Sequence, residues 1–157
     1  MTLFMLNLML ALGWAVVTGG YSLGNLIFGF VIGYFALWVS RPLYGSSAYF
    51  GRLVAGIRLA TFFLYDLVMS SIQVVWDVVT PSHKSRPGII AVKLDAKTDL
   101  EIMLTANLIS LTPGTLSLEL SDDKSILYVH AMFIDDPDDI RRQVKEGMER
   151  RVLEVLR

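Results

Sequence analysis

Between Met1 and Ser40 the chain contains no Lys, Arg, Asp, Glu or His, while Leu, Phe, Val, Ile and Trp abound. A helix exposed to water needs a polar face, and this stretch has too few polar side chains to make one. The segment therefore belongs in a bilayer. Charge is unevenly spread over the rest. Residues 1–80 carry only Arg41, Arg52, Arg58, Asp66 and Asp77, whereas residues 81–157 carry eleven Lys/Arg and thirteen Asp/Glu, an ordinary water-facing composition. The division predicts a membrane module at 1–80, a linker at 81–88 and a small water-facing domain at 89–157. Neither half is basic enough to suggest nucleic acid as a partner. The absence of cysteine rules out disulfides and thiolate metal sites. No cleavable signal peptide is expected, because no Lys or Arg precedes the apolar run and apolar character resumes after Gly19-Gly20.

Within the module, apolar segments of about 2–18 and 23–39 are separated by Thr18-Gly19-Gly20-Tyr21-Ser22, a helix-breaking sequence. Each is about 17 residues, or roughly 25 Å as a helix, at the short end for a core of ~30 Å. A tight helical hairpin is expected. Gly29 and Gly33 form a Gly-x-x-x-Gly pair suited to close helix approach. Arg41-Pro42 ends the second segment, and Leu43–Gly51 reads as a loop.

A third apolar segment, 53–79, differs from the first two. Asp66, Ser70, Gln73 and Asp77 recur at spacings of four, three and four and so lie along one helix face. Such a helix can span with its stripe against protein, or lie along the interface with the stripe in water. Apolar side chains cover well over half of the circumference, which favours a third span. Asp66, near the middle, is expected to make a polar contact with a neighbouring helix; an ion-conducting carboxylate is the competing reading.

Pro81 to Gly88 reads as a linker. Ile89–Leu94 is a predicted strand. Thr98 followed by Glu101 matches a capping box, so a helix starts at Asp99. Thr112-Pro113-Gly114-Thr115 suits a type II turn, with Gly supplying the positive φ. Thr115–Leu120 alternates, with Leu116, Leu118 and Leu120 on one face and Thr115, Ser117 and Glu119 on the other. Asp122-Asp123-Lys124 connects to a returning strand at Ile126–Phe133. Asp136-Pro137-Asp138-Asp139 opens a last helix whose apolar positions are Ile140, Val144, Met148 and Val152. The order β-α-β-β-α predicts a two-layer α+β domain with helices on one side of the sheet.

Catalytic chemistry is not in evidence. His83 and His130 are the only histidines, and there is no phosphate loop, nucleophile motif or metal-ligand spacing. Asp135, Asp136, Asp138 and Asp139 are better explained by a helix cap than by a cation site. No catalytic, cofactor-binding or metal-binding residue is expected, and no small-molecule substrate is expected to bind this chain alone.

The run Leu104-Thr105-Ala106-Asn107-Leu108-Ile109-Ser110-Leu111-Thr112-Pro113-Gly114-Thr115, followed by Leu127-Tyr128-Val129-His130, resembles the E subunit of Mrp-type multi-subunit cation/proton antiporters. The resemblance extends over nearly the whole chain. It implies an accessory, non-enzymatic subunit of a Na+/H+ antiporter in the bacterial plasma membrane, multi-pass, with a cytoplasmic C-terminal domain. It further implies structural roles for Asn107, Thr112, Pro113, Gly114 and Thr115, and partners among other membrane subunits and the lipid bilayer. On that footing the Asp66, Ser70, Gln73, Asp77 stripe is expected to face a helix of another subunit. The alternative of a different class is a free-standing membrane-anchored adaptor whose C-terminal domain binds a soluble partner.

Overall fold

The computed structural model describes residues 2–43, 48–81 and 85–157. The chain forms two compact units, Met1–Leu53 and Val54–Arg157. In the first, helix α1 (Leu3–Thr18) and helix α2 (Leu23–Val39) pair as an antiparallel hairpin, and a short 3-10 turn, Arg41–Leu43, follows. The Thr2 and Ser22 hydroxyls cap the two helix starts, accepting from Met5 N and Asn25 N. Gly19 ends α1 at φ 65°, a left-handed position that glycine fills without steric cost. Asn25 then closes the connection: its Nδ2 donates to Gly20 O and Thr18 Oγ1, and its Oδ1 accepts from Trp14 Nε1.

The expected Gly-x-x-x-Gly face is present and lies inside the hairpin. A Cβ at Gly29 would meet Ala11 O and Trp14, and one at Gly33 would meet Asn7 Oδ1 and Leu10. Small residues thus let the two backbones approach. Asn7 is fully buried and donates through Nδ2 to Tyr49 Oη at 2.7 Å.

Helix α3 spans Ala48–Val79. Of the expected loop Leu43–Gly51, Leu43 ends the 3-10 turn and residues 48–51 are the first turn of α3, while residues 44–47 lie outside the described residues. The reason is local packing. Tyr49 packs tilted and Phe50 edge-on against Tyr34, and the Asn7 bond fixes Tyr49, so aromatic packing extends the helix upstream past Gly51. Of the described helices, α3 alone is long and apolar enough to cross a membrane by length and composition; α1 and α2 are apolar but shorter.

The second unit contains strand β1 (Gly88–Lys93), helix α4 (Asp99–Leu111), strands β2 (Thr115–Leu120) and β3 (Ile126–Ala131), and the terminal helical region. The sheet is antiparallel in the order β1-β3-β2. The terminal region is helix α5 (Pro137–Arg142), a π-helical stretch Gln143–Glu149, and helix α6 (Arg150–Leu156). Ile90, Val92 and Val129 of the sheet meet Ile109 of α4 and Val144 and Met148 of the π-helix in the core.

Four expectations change in detail. The linker does not run free to Gly88: Arg86 N donates to Met132 O at 2.9 Å and Ile134 N to Arg86 O at 3.2 Å, so its end joins the sheet. β3 ends at Ala131 instead of Phe133. In β2 the alternation is broken by a register shift between Ser117 and Glu119. Thr115 and Ser117 turn to α4, bonding Ile109 O and Ala106 O, while Leu116 and Leu118 are each 47% exposed. Half-buried hydroxyls are acceptable there because α4 carbonyls satisfy them. The packing boundary at Leu53/Val54 also differs from the compositional one at 81–88.

Candidate functional site

The polar stripe of α3 and the Thr-Pro-Gly-Thr turn meet. α4 ends at Leu111, and Thr112 N donates to Ile109 O. Thr112 then begins the turn foreseen from the sequence, closed by Thr115 N to Thr112 O at 3.2 Å, with Gly114 at φ 88°. Gly114 O accepts from Met132 N at 2.7 Å, tying the turn to the end of β3. The turn is therefore rigidly placed between helix and sheet.

Asp66, only 8% exposed, faces this turn. Its carboxylate lies 3.5 Å from Thr112 Oγ1 and 3.5 Å from Gln143 Nε2. Both distances are at the long limit of hydrogen bonding. Thr112 Oγ1 also lies 3.1 Å from Leu108 O, so its single proton is shared between two acceptors. A cavity of about 140 Å³ adjoins the carboxylate and is walled by Ser70, Gln73, Thr112, Thr115 and Gln143. A second, more apolar cavity of about 250 Å³ lies between Gln73, Asp77, Trp76 and Phe133. Asp77 is buried, Ser70 half-buried and Gln73 exposed.

The sequence alone predicts the stripe against another subunit. For Asp66 the structure supplies a contact within the same chain. Periodicity identifies a polar face but does not say which partner covers it. Of the family-motif residues, Thr112, Pro113 and Thr115 line the first cavity and Gly114 forms the turn, whereas Asn107 is exposed on α4. His130 sits on the face of β3 away from the core, opposite Ile89 and Leu116; His83 lies outside the described residues.

Several contact residues carry no signal in the sequence. Gln143 opens the π-helix, a rare form that often marks functional positions. Gly147, in the same stretch, would place a Cβ 3.1 Å from the Phe62 ring. Arg151 stacks its guanidinium 3.8 Å over Phe62 and donates to the Glu146 and Gly147 carbonyls. Arg58 pairs with Glu154 at 3.7 Å. Residues 58, 62 and 66, one helix turn apart, thus meet 154, 151/147 and 143 in reverse order. Only the apolar positions Val144, Met148 and Val152 point to this terminal helix as a packed element, and all three are buried.

Two glutamates brace the unit behind the site. Glu101 completes the capping box, accepting from Lys97 N and Thr98 N, and binds Arg157 through both carboxylate oxygens. The Arg157 guanidinium foremost, then the two backbone donors, hold its carboxyl down at about 2. Glu149 is 1% exposed and accepts from Asp95 N at 2.5 Å and Ala96 N at 2.8 Å, with Lys145 4.0 Å from its other oxygen. At the last helix start, Asp136 accepts from Asp138 N, as a cap does, and Asp138 and Asp139 pair with Arg141 and Arg142. Among the described residues no three His, Cys, Asp or Glu side chains gather where they could hold a metal ion.

Comparison with known proteins gives a consistent picture. A family profile described as "Na+/H+ ion antiporter subunit" matches residues 7–155. The E subunit of the Na(+)/H(+) antiporter of Alkalihalophilus pseudofirmus is 37% identical over 153 residues, covering 98% of this chain and 97% of the relative. The protein of the same name from Bacillus subtilis is 35% identical over 153 residues, with 98% and 97% covered. Among solved structures, a chain of the Mrp complex from Dietzia sp. aligns at TM-score 0.50 and 28% identity, covering 62% of this chain and 92% of that one. A chain of the membrane-bound sulfane sulfur reductase, an archaeal respiratory membrane complex, aligns at TM-score 0.51 and 21% identity over 87% and 86%, a likeness of fold alone.

Proposed function

The chain belongs to the family of Na+/H+ antiporter E subunits, and from that premise we propose that it is an accessory, non-catalytic subunit of a multi-subunit monovalent cation/proton antiporter. In this reading it supports assembly and activity of the complex from the bacterial plasma membrane, with its C-terminal domain on the cytoplasmic side. The observation that carries it is the extent of the likeness: the relatives named as antiporter subunits align over 98% of this chain and 97% of their own length. Membrane module and α+β domain are therefore matched together.

The physical properties agree. Residues 1–80 hold five charged side chains, too few to line an ion path unaided. Asp66 is engaged by Thr112 and Gln143, which suits a fastening between elements. Of the other stripe residues, Gln73 is exposed and suits polar contact with a neighbouring subunit's helix, such a contact contributing about 0.6–2 kcal/mol.

The test is purification of the tagged full chain from its own membranes in mild detergent. The expected result is co-purification with several larger membrane proteins, and loss of Na+/H+ exchange in vesicles from cells lacking the chain. Recovery of a soluble partner without any large membrane protein would overturn the reading in favour of an adaptor.

A further inference from the structure

Helix α3 has two opposite faces, and the second unit uses one of them. Arg58, Phe62, Asp66, Ser70, Gln73 and Asp77 follow one another at three- and four-residue spacing along the side that meets Glu154, Arg151, Gly147, Gln143, Thr112 and Phe133. On the far side Ile57, Leu64, Val68, Ile72, Val75 and Val79 are each more than half exposed. No charged residue falls on that side between Val54 and Val79. Its hydroxyls ask for nothing outside: Thr61 Oγ1 donates to Ile57 O at 2.7 Å and Ser71 Oγ to Leu67 O at 2.6 Å.

We propose that α3 lies in the plane of the membrane, its outer face immersed in the lipid interface and its polar stripe fastened to the α+β domain, instead of crossing the bilayer as a third span. Length decides between the two. The domain accompanies the helix from Arg58 to Asp77, nineteen residues or roughly 28 Å, against a hydrocarbon core of ~30 Å. A spanning α3 would hold the domain at core depth over nearly that whole thickness. The exposed ion pairs of Asp138, Asp139, Arg141 and Arg142 would then sit in or beside hydrocarbon. Placing those charges in hydrocarbon costs more than the polar contacts along α3 return.

Lipid fits the outer face better than protein does. The face is uncharged over its length, whereas interfaces between proteins carry about one hydrogen bond per 100–200 Å². Tyr65 and Trp76, 63% and 67% exposed, flank it, and both residue types favour the headgroup level. The chain enters α3 eight residues after the uncharged stretch that ends at Ser40, which keeps the helix at the membrane. Charge agrees as well. A third span would divide Arg41 and Arg52 from Arg86 and Lys93, whereas an in-plane helix leaves all four on one side, as the positive-inside rule favours.

The absence of cysteine allows a direct test on the full chain. Ile57→Cys, Leu64→Cys, Val68→Cys and Val75→Cys, each spin-labelled singly, alter only exposed positions and spare the folded core. In phosphatidylethanolamine/phosphatidylglycerol vesicles, collision with oxygen and with a water-soluble nickel chelate reads depth. All four labels are expected at one shallow depth, about 5–10 Å into the headgroup/acyl boundary. Depth that rises to a maximum near Leu64 and Val68 and falls towards both ends would show a span and overturn the proposal. Labels shielded from both quenchers would show protein on this face and overturn it equally. Neither result bears on whether the chain co-purifies with antiporter subunits.

Discussion

Gly33 has no room for a methyl group, since a Cβ built there falls far inside contact with Asn7 Oδ1 and lies 3.2 Å from Leu10 Cβ. The obstructing atom, Asn7 Oδ1, belongs to a buried side chain and accepts no hydrogen bond itself. Gly33→Ala is therefore expected to weaken the α1–α2 hairpin by about 1–3 kcal/mol, the usual range for overpacking. Asn7→Ala alone should also weaken it, by removing the bond to Tyr49. Combined, the two should cost less than their sum, because the added methyl enters space that the amide vacated. Thermal unfolding of the four proteins in detergent checks this; strict additivity would show that Asn7 does not limit the approach at Gly33.

Among the elements, α4 is braced by charge at its start. Glu101 has its carboxyl lowered from 4.5 to about 2 by Arg157 and by the Lys97 and Thr98 backbone donors. A folded value below the unfolded one means that the unfolded chain takes up the proton first. The stabilisation is then complete above about 4.5 and is lost as the pH falls towards 2. Asp123, held at about 2 by Ser121 and Ser125, adds stabilisation that is lost as the pH falls from 3.8 towards 2. Glu101→Gln is expected to lower the urea midpoint of the full chain at neutral pH and to flatten its fall between pH 4.5 and 2. An unchanged acid slope would show that the brace is not what titrates.

This element is legible in the sequence because a capping box is written in contiguous residues, Thr98 to Glu101. The same holds for the Pro113-Gly114 turn, the Asp136 cap and the bounds of α1 and α2, where local chemistry decides. What is not legible depends on distant partners. The inward turn of Thr115 and Ser117 requires α4 carbonyls, and the π-helix at Gln143–Glu149 follows no simple repeat. Asp66 stands out in the sequence as a contact residue, but its partners lie 46 and 77 residues away.

At the scale of the whole molecule, composition changes near residue 80 while packing changes at Leu53/Val54. The two differ because α3 is apolar by residue count yet belongs to the α+β unit by its stripe. The hairpin connection Thr18–Ser22 carries no charge, and Asn25 satisfies Gly20 O there from within the chain. That has a consequence for biogenesis. Drawing a loop across an energised membrane costs or gains about 2.3 kcal/mol per elementary charge at 100 mV, and this loop offers the field nothing to act on. Its insertion should proceed equally well in inverted vesicles with and without a protonophore. Tyr21→Lys, at a position 72% exposed, should make insertion depend on the potential. Protease protection of the loop follows both cases, and a wild-type hairpin that stalled when the potential collapsed would show that the field acts elsewhere on the chain.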